Sequence, residues 1–142
     1  RLLTKVVTDI SNGIIERTPQ PEEFVLAPML DKEMSKINWQ EKTSSEIKNL
    51  VRGLNPIMGT YAFLNSKKIK IWKVQTVDAE NFENAESQKP GTVLLANEKQ
   101  GLFIKTIDGV LSVLEIQGEN AKRMPIGDFL RGNKIEIGEV FE

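Results

Sequence analysis

The residues best suited to bind a ligand are cations in a stretch of chain that contains no acid. No Asp or Glu occurs between Glu46 and Asp78. The cations of this stretch are Lys48, Arg52, Lys67, Lys68, Lys70 and Lys73. Clustered cations without counter-charges produce a positive potential that attracts polyanions such as nucleic acid. The alternative is an ordinary solvated face whose acids come from elsewhere in the fold, and the sequence leaves both interpretations open.

The sequence also excludes several kinds of chemistry. It has no histidine and no cysteine, which removes the commonest general base, the usual neutral metal ligand, thiolate nucleophiles and disulfides. The motifs GxGxxG, GxxxxGK[ST], HExxH and GxSxG do not occur in it. We therefore expect no catalytic residue, no cofactor-binding residue and no metal site. The lack of cysteine fits a reducing compartment, and we expect a cytoplasmic protein.

Two other groups of residues have simpler structural interpretations. An acidic run in a polar loop lacks the close ligand spacing and turn glycine of a calcium loop, so a solvated hairpin tip is favoured over a cation site. Its members are Asp78, Glu80, Glu83 and Glu86. Trp39 and Trp72 are candidates for base stacking, although packing in the core is the default for tryptophan.

Length and composition indicate one globular domain with at most a short appendage. The 142 residues are 39% hydrophobic and 27% charged with a net charge of -1, so the chain is neither disordered nor globally basic. The charge is uneven, since residues 1–74 hold 12 Lys and Arg against 8 Asp and Glu, whereas residues 75–142 hold 7 against 12. No apolar run approaches the ~20 residues that span a bilayer. The start at Arg1, without an initiator methionine, indicates a processed or truncated piece.

The elements before Pro56 are helical or extended. Helical spacing predicts an amphipathic helix over roughly residues 1–16, ending at Gly13 or at Thr18-Pro19. Its apolar residues are Leu2, Leu3, Val6, Val7, Ile10 and Ile14. A proline-containing stretch, residues 18–42, predicts an extended connector. The capping box Thr43-Ser44-Ser45-Glu46 begins a second helix, which ends at Asn55-Pro56. The apolar stripe of this helix is Ile47, Leu50, Val51 and Leu54.

After Pro56 the pattern becomes strand-like. The predicted strands are Tyr61–Leu64, Lys68–Val77, Thr92–Ala96, Leu102–Thr106 and Val110–Gln117, with a last one near Lys134–Val140. Asp108-Gly109 is the strongest hairpin signal, and Pro125 predicts a short helix that Gly132 ends. These elements indicate a mainly β fold with small helices, namely an OB-like, partly closed antiparallel barrel preceded by a helix and an extended linker.

From about Ala27 to the C-terminus, short motifs follow one another in a distinctive order. They are Ala27-Pro28, Lys32-Glu33, Ile37-Asn38-Trp39, Ile47, Val51-Arg52-Gly53-Leu54-Asn55-Pro56, Gly59, Pro90-Gly91, Gly101-Leu102, Asp108-Gly109, Leu114, Gln117, Lys122, Met124 and Phe129-Leu130 with Gly132. With them the sequence resembles the linker and C-terminal domain of the methionyl-tRNA formyltransferase family. It departs from that family at Met29, at Asn38 and at Ile57-Met58-Gly59-Thr60, where Lys, Asp and Trp-Pro-Gly-Ala are usual.

The resemblance implies an enzyme of translation initiation that transfers a formyl group from 10-formyltetrahydrofolate to methionyl initiator tRNA. The family's catalytic residues and folate pocket lie in an N-terminal formyltransferase domain, whose motifs are not found in this sequence. The expected partners are the initiator tRNA and that missing domain, with no membrane and no metal. The folate is expected as a co-substrate of the full enzyme only. This chain is then expected to position tRNA and to be inactive alone.

The implied organisation has three parts. Residues 1–19 correspond to the last helix of the N-terminal formyltransferase domain, residues 20–42 to an extended linker, and residues 43–142 to the OB-like tRNA-binding domain.

The predicted tRNA-binding residues combine the resemblance with side-chain geometry. Lys48 and Arg52 are four residues apart and therefore share a helix face. Lys68 and Lys70 alternate with isoleucines, so they point away from the core. The full set is Lys32, Lys36, Lys48, Arg52, Lys67, Lys68, Lys70 and Lys73, of which Lys32 and Lys36 rest on the resemblance. Arg52 has an alternative role as a structural arginine that clamps the linker.

Two rival classes stay open. Sugar-nucleotide formyltransferases and other folate-dependent formyltransferases carry a similar C-terminal domain, which shapes a small-molecule site. The motif Arg52–Pro56 and the basic stretch favour the tRNA enzyme over them. The second rival class is a stand-alone module that binds RNA or has a purely structural role.

Overall fold

The computed structural model describes residues 2–15, 19–27, 29–82 and 85–142. Within these ranges the helices are α1 (Leu2–Ser11), α2 (Ser44–Leu54) and α3 (Ile126–Gly132). The strands are β1 (Thr60–Leu64), β2 (Lys67–Val77), β3 (Val93–Asn97), β4 (Gly101–Lys105), β5 (Val110–Gln117) and β6 (Met124–Pro125). Single 3₁₀ turns occur at Glu33–Ser35, Ala79–Asn81 and Ala85–Ser87. The predicted mainly β fold with small helices is confirmed.

Helix α1 is amphipathic, as its spacing predicts, but it is shorter than predicted. Gly13 adopts a φ of +77°, and its amide donates to the carbonyl of Ile10 at 3.0 Å. The helix therefore ends at the first of its two predicted stops, because a glycine in this conformation terminates a helix. Thr18, in the second predicted stop, lies outside the described residues. No residue of α1 is buried, and Leu2 and Leu3 are 77% and 75% exposed.

Helix α2 begins with the predicted capping box. The Thr43 hydroxyl accepts from the amide of Glu46 at 3.3 Å, while the Glu46 carboxylate accepts from the amide of Thr43 at 2.8 Å. These reciprocal bonds satisfy amides that have no partner within the helix. Three residues of the predicted stripe, Ile47, Val51 and Leu54, are buried, so α2 lies on the sheet by that face.

The strands form one antiparallel sheet in the order β1-β2-β5-β4-β3. Strand β6 pairs with the C-terminal end of β5, at Glu115 and Ile116. Strand β5 matches its predicted bounds, and the turn at Asp108-Gly109 joins β4 to β5 as predicted. The connection from β2 to β3 crosses over to the opposite edge. A parallel arrangement is excluded for these strands, since every ladder is antiparallel.

The strand ladder itself is an open sheet rather than a closed barrel, and its edges are β1 and β3. The C-terminal segment, residues 138–142, lies between these edges. It exchanges backbone hydrogen bonds of 2.7 and 2.8 Å between Phe63 and Glu142, and its Phe141 amide donates to Gly91 at 2.9 Å. The C-terminal segment thus closes the sheet only partly, through a few backbone hydrogen bonds to β1 and to the start of β3.

The prediction of a last strand near Lys134–Val140 is wrong. Only one isolated bridge, between Thr92 and Val140, involves that stretch. Gly138 has a φ of +92°, and the Glu139 amide donates to the carbonyl of Glu136 at 3.3 Å. The backbone therefore turns where a strand would have to stay extended.

The acidic run does not form a hairpin tip, because it lies in the crossover from β2 to β3. Asp78, Glu80 and Glu86 are exposed, as predicted, whereas Glu83 lies outside the described residues. The crossover is attached to the sheet by Phe82, whose ring centroid lies 5.0 Å from that of Phe103. Across the described ranges, no group of three or more potential metal ligands occurs.

The core lies between α2, α3 and one face of the sheet. Its fully buried side chains include Ile37, Trp39, Ile47, Ile71, Leu102, Ile104, Leu111, Ile116 and Phe141. Trp39 is 2% exposed and its ring centroid lies 6.1 Å from that of Phe141. Core packing is therefore the correct interpretation of Trp39, and base stacking on it is wrong. None of the described helices is long and apolar enough to cross a membrane.

Candidate nucleic-acid interface

A groove of about 570 Å³ runs between α2 and the strands β2 and β5. Its described lining includes four cations, Lys48, Arg52, Lys73 and Arg123, and one acid, Glu115. Apolar parts of Val51, Trp72 and Val74 complete its walls. The groove therefore combines a net positive charge with an apolar floor, which is the combination that single strands and RNA backbones bind.

The helix supplies two of these cations. Lys48 and Arg52 are one turn apart on α2, and both line the groove while Ile47 on the adjacent face is buried. Their predicted position on a common face is confirmed. Arg52 donates to the Asn49 side chain at 3.2 Å within the same helix. Its alternative role, to clamp the linker, would require a contact with the linker instead.

An irregularity in the β2–β5 ladder places the next two side chains. Ile71 pairs with Ile116 and Lys73 pairs with Glu115, so Trp72 is an extra residue on β2. A bulge of this kind interrupts the alternation of a strand and redirects side chains. As a result Trp72 and its neighbour Lys73 both reach the groove.

The Trp72 ring is covered by its surroundings. A Cβ placed on Gly59 would lie 2.8 Å from Cζ3 of Trp72, so the glycine backbone packs directly against the ring. Lys70 Nζ and Arg123 Cζ lie 5.3 and 5.0 Å from its centroid. The indole Nε1 donates to Gln117 at 2.9 Å, and only 9% of the residue is exposed. Trp72 is therefore packed in the structure, and its assignment as a free base-stacking platform is wrong.

A second group of cations lies on the outer face of β1 and β2. We call it the aromatic ridge, and it consists of Lys36, Tyr61, Phe63, Lys68 and Lys70. Lys68 pairs with Phe63 across the ladder, and its Nζ lies 3.8 Å from the centroid of Tyr61. Lys36 Nζ lies 5.6 Å from the centroid of Phe63. The two rings contact each other edge to face at 5.7 Å, so this ridge alternates charge with aromatic surface.

The predicted binding residues thus separate into two patches and two residues outside them. The groove brings together Lys48, Arg52 and Lys73, and the ridge holds Lys36, Lys68 and Lys70. Lys67 is exposed at the start of β2, but its register partner is the buried Leu64, so it faces away from Lys68. Lys32 is exposed in the connector beside the turn Glu33–Ser35 and lines neither patch. Lys70, with its Nζ near Trp72, lies toward the groove end of the ridge.

None of the eight predicted cations forms an ion pair with a carboxylate of the described residues. The ion pairs of these ranges belong instead to Lys5, Arg123, Arg131 and Lys134. No described carboxylate therefore lies within ion-pair distance of these cations, and the alternative of an ordinary solvated face is decided by the binding experiments proposed below. The positive potential of both patches is available to an external anion.

Arg123 is the groove residue that sequence reasoning missed. It pairs with Glu115, and its Nη1 donates to the Asn55 side chain at 3.2 Å. Glu115 lies eight residues earlier, whereas Asn55 lies 68 residues earlier. The useful signal was the short connection from Glu115 to Arg123, which brings them together through the pairing of β5 with β6.

Residues 29–134 match the family described as the C-terminal domain of formyl transferases. The chain belongs to this family. The resemblance found in the sequence motifs is confirmed by that match. In this formyl transferase C-terminal domain, four residues of one motif line the groove, namely Val51, Arg52, Asn55 and Pro56.

Relatives extend this relationship to named enzymes. The methionyl-tRNA formyltransferase of Ruminiclostridium cellulolyticum is 37% identical over 139 residues, covering 97% of this chain and 43% of that protein. That of Carboxydothermus hydrogenoformans is 34% identical over 142 residues, covering 99% and 44%. That of Clostridioides difficile is 39% identical over 119 residues, covering 84% and 36%. This formyl transferase C-terminal domain therefore spans less than half the length of these relatives.

Solved structures share the fold. HypX from Aquifex aeolicus, as a multiple variant, aligns with a TM-score of 0.59 at 20% identity, covering 94% of this chain and 24% of that one. HypX in complex with tetrahydrofolic acid aligns with a TM-score of 0.59 at 18% identity, covering 96% and 25%. Because these identities are low, the comparison shows that the C-terminal domain shares its fold with HypX and shows nothing further.

Proposed function

We propose that this chain is the RNA-binding C-terminal part of a methionyl-tRNA formyltransferase. The longer enzyme transfers a formyl group from 10-formyltetrahydrofolate to methionyl initiator tRNA in the cytoplasm, at the start of translation. The observation that carries the proposal is the presence of eight predicted cations without an acidic partner among the described residues. The names of the relatives support the choice of RNA among polyanions.

The groove and the aromatic ridge act through charge. Each lysine or arginine that meets a phosphate releases a counterion, so binding weakens steeply as salt is added. Contacts to phosphates position an RNA but read little of its sequence. Discrimination of the initiator tRNA is therefore a task of the remainder of the enzyme, and this part supplies general affinity and orientation.

The division of the chain follows from this proposal. Residues 43–142 form the RNA-binding domain, and residues 20–42 form a linker whose Ile37 and Trp39 pack into the core of that domain. Residues 1–19 form the last helix of the N-terminal formyltransferase domain. The exposed apolar face of α1 supports the last assignment, because Leu2, Leu3 and Val7 are more than half exposed and such a face is normally covered by a packed neighbour. The chain alone has no imidazole base, so we expect it to be inactive in formyl transfer.

Fluorescence anisotropy with labelled initiator tRNA tests the proposal. The chain should bind in the micromolar range or more weakly, with the affinity falling steeply between low and physiological salt. An elongator tRNA should bind about equally well. Absence of binding at low salt would refute the proposal. Tight binding of a UDP-sugar in the same groove, without RNA binding, would favour the sugar-nucleotide enzymes instead.

A second assay tests the expected inactivity. Chain that is free of full-length enzyme should transfer no formyl group from 10-formyltetrahydrofolate to methionyl-tRNA. Turnover above that of a buffer blank would contradict this part of the proposal without affecting the binding result.

A further inference from the structure

Arg123 is held in the groove by three different contacts. Its Nε pairs with the Glu115 carboxylate, and its Nη1 donates to the Asn55 side chain at 3.2 Å. Its Cζ lies 5.0 Å from the centroid of Trp72. Asn55 in turn donates to the Trp72 carbonyl at 3.0 Å. The guanidinium is therefore fixed by the C-terminal end of α2, by the bulge of β2 and by β5.

Part of this guanidinium remains open to a ligand. An arginine carries five N–H donors in a rigid plane. The bonds to Glu115 and Asn55 use two of them, so three have no partner among the described residues. The side chain is 37% exposed and faces the groove with Lys48 and Lys73. A planar fork that is already immobilised loses little entropy when it binds an anion.

The ion pair with Glu115 compensates only part of the positive charge of the groove. Partly exposed ion pairs contribute little to stability, and Glu115 is 30% exposed in its pair with Arg123. One acid also leaves the groove positive, because its described lining contains four cations. The neighbouring Lys73 is the register partner of Glu115 but forms no ion pair with the described carboxylates.

We propose that Arg123 is the anchor of a phosphate-binding site in this groove. Its open N–H groups donate to one phosphodiester group of the RNA, and Lys48 and Lys73 attract the adjacent phosphates. Glu115 and Asn55 are positioning residues that hold the fork over Trp72. Charge-assisted, bidentate hydrogen bonds from an arginine to a phosphate are stronger and more directional than the hydrogen bonds of a lysine. The inference rests on the proposed RNA-binding function and adds a residue to the eight predicted cations.

The test compares Arg123→Lys and Arg123→Gln with Lys122→Gln, all measured by anisotropy with the same initiator tRNA. Lys122 is the adjacent exposed cation and does not line the groove. Arg123→Lys keeps the charge but removes the fork, so affinity should fall about 5- to 20-fold with an unchanged log–log salt slope. Arg123→Gln should lose affinity and also reduce that slope by roughly 0.7 to 0.9. Lys122→Gln should bind as the parent does.

A second readout reports the place of binding. The chain has two tryptophans, so an ¹H–¹⁵N spectrum shows two indole signals. The signal of Trp72, beneath Arg123, should shift on addition of tRNA, whereas that of the buried Trp39 should stay in place. All three variants should melt close to the parent temperature, because the pair is partly exposed.

Three results would overturn the inference while leaving the proposed function intact. They are parent-like binding by Arg123→Lys, equal losses in Arg123→Gln and Lys122→Gln, and a static Trp72 signal in the presence of saturating tRNA. Failure of the unmodified chain to bind tRNA would instead refute the proposed function itself.

Discussion

The carboxylate of Asp108 accepts hydrogen bonds from both the amide and the hydroxyl of Ser44, at 2.7 and 2.9 Å. Ser44 is the first residue of α2, and Asp108 lies in the turn between β4 and β5. A negative charge at a helix N-terminus interacts favourably with the helix dipole. The sheet thereby caps the helix that carries Lys48 and Arg52, and it fixes those two groove cations relative to β2.

Substitution of Asp108 tests this connection. Asp108→Asn removes the charge and should lower the free energy of unfolding by about 1 kcal/mol at pH 7. Thermal denaturation followed by circular dichroism measures the effect. Asp128→Asn is the matched control, since Asp128 forms an exposed pair with Arg131 at 3.0 Å. Equal losses in the two variants would show that the bonds to Ser44 add no stability.

The same residue predicts a pH dependence. Burial raises the pKa of Asp108, but the hydrogen bonds from Ser44, from its own backbone amide and from Thr106 together outweigh it and leave that pKa below the ordinary value of 3.8. A carboxyl whose pKa is lowered by folding stabilises the fold above its unfolded pKa, and this contribution is lost as the pH falls through the folded pKa. The unfolding free energy of the parent should therefore decrease below about pH 4 more steeply than that of Asp108→Asn. Superimposable pH profiles would contradict this.

Two glycines of the groove region should respond to alanine in opposite directions. Gly59 has a φ of +65° and no room for a Cβ beside Trp72, so Gly59→Ala should lower the free energy of unfolding by about 1 to 3 kcal/mol. Gly53 lies in α2, and no atom lies within 4 Å of the position that an added Cβ would take. Gly53→Ala should raise stability by roughly 0.5 to 1 kcal/mol. Urea denaturation of both variants checks the signs, and a stable Gly59→Ala would show that Trp72 has space to move.

The lysines of the aromatic ridge on β2, together with the adjacent Lys67, should contribute to RNA binding with little effect on stability. Replacing Lys67, Lys68 and Lys70 together by Ala should weaken tRNA binding and flatten its salt dependence, because three cations are removed. The melting temperature should change little, since exposed charges add little stability. A triple variant with parental affinity and slope would mean that the ridge is only a solvated face.

Helix α1 should be the least protected helix of the isolated chain. None of its residues is buried, so little packing opposes its local unfolding. Hydrogen exchange monitored by mass spectrometry should show fast exchange over Leu2–Ser11 and slow exchange in β5. Slow exchange over α1 in a dilute monomer would contradict the expectation that another domain covers this helix.

Local patterns predicted much of the fold and part of the groove. The capping box at Thr43 and the turn at Asp108-Gly109 were predictable because each depends on a few adjacent residues. The common face of Lys48 and Arg52 followed from helical periodicity. The groove itself was not predictable, since Trp72 enters it through a bulge that depends on its pairing with β5. Arg123 was missed for a related reason, because its contact with Asn55 joins residues 68 positions apart.

The most direct test of the account is the salt dependence of tRNA binding when the groove loses its charge. The groove variant combines Lys48→Gln, Arg52→Gln and Lys73→Gln. The control variant combines Lys5→Gln, Arg131→Gln and Lys134→Gln, which removes the same charge from cations that already pair with acids. If the groove binds RNA phosphates, its variant should lose roughly 0.7 to 0.9 of the log–log slope for each contact removed, and the control should keep the parental slope. Identical slopes in the two variants would contradict the account.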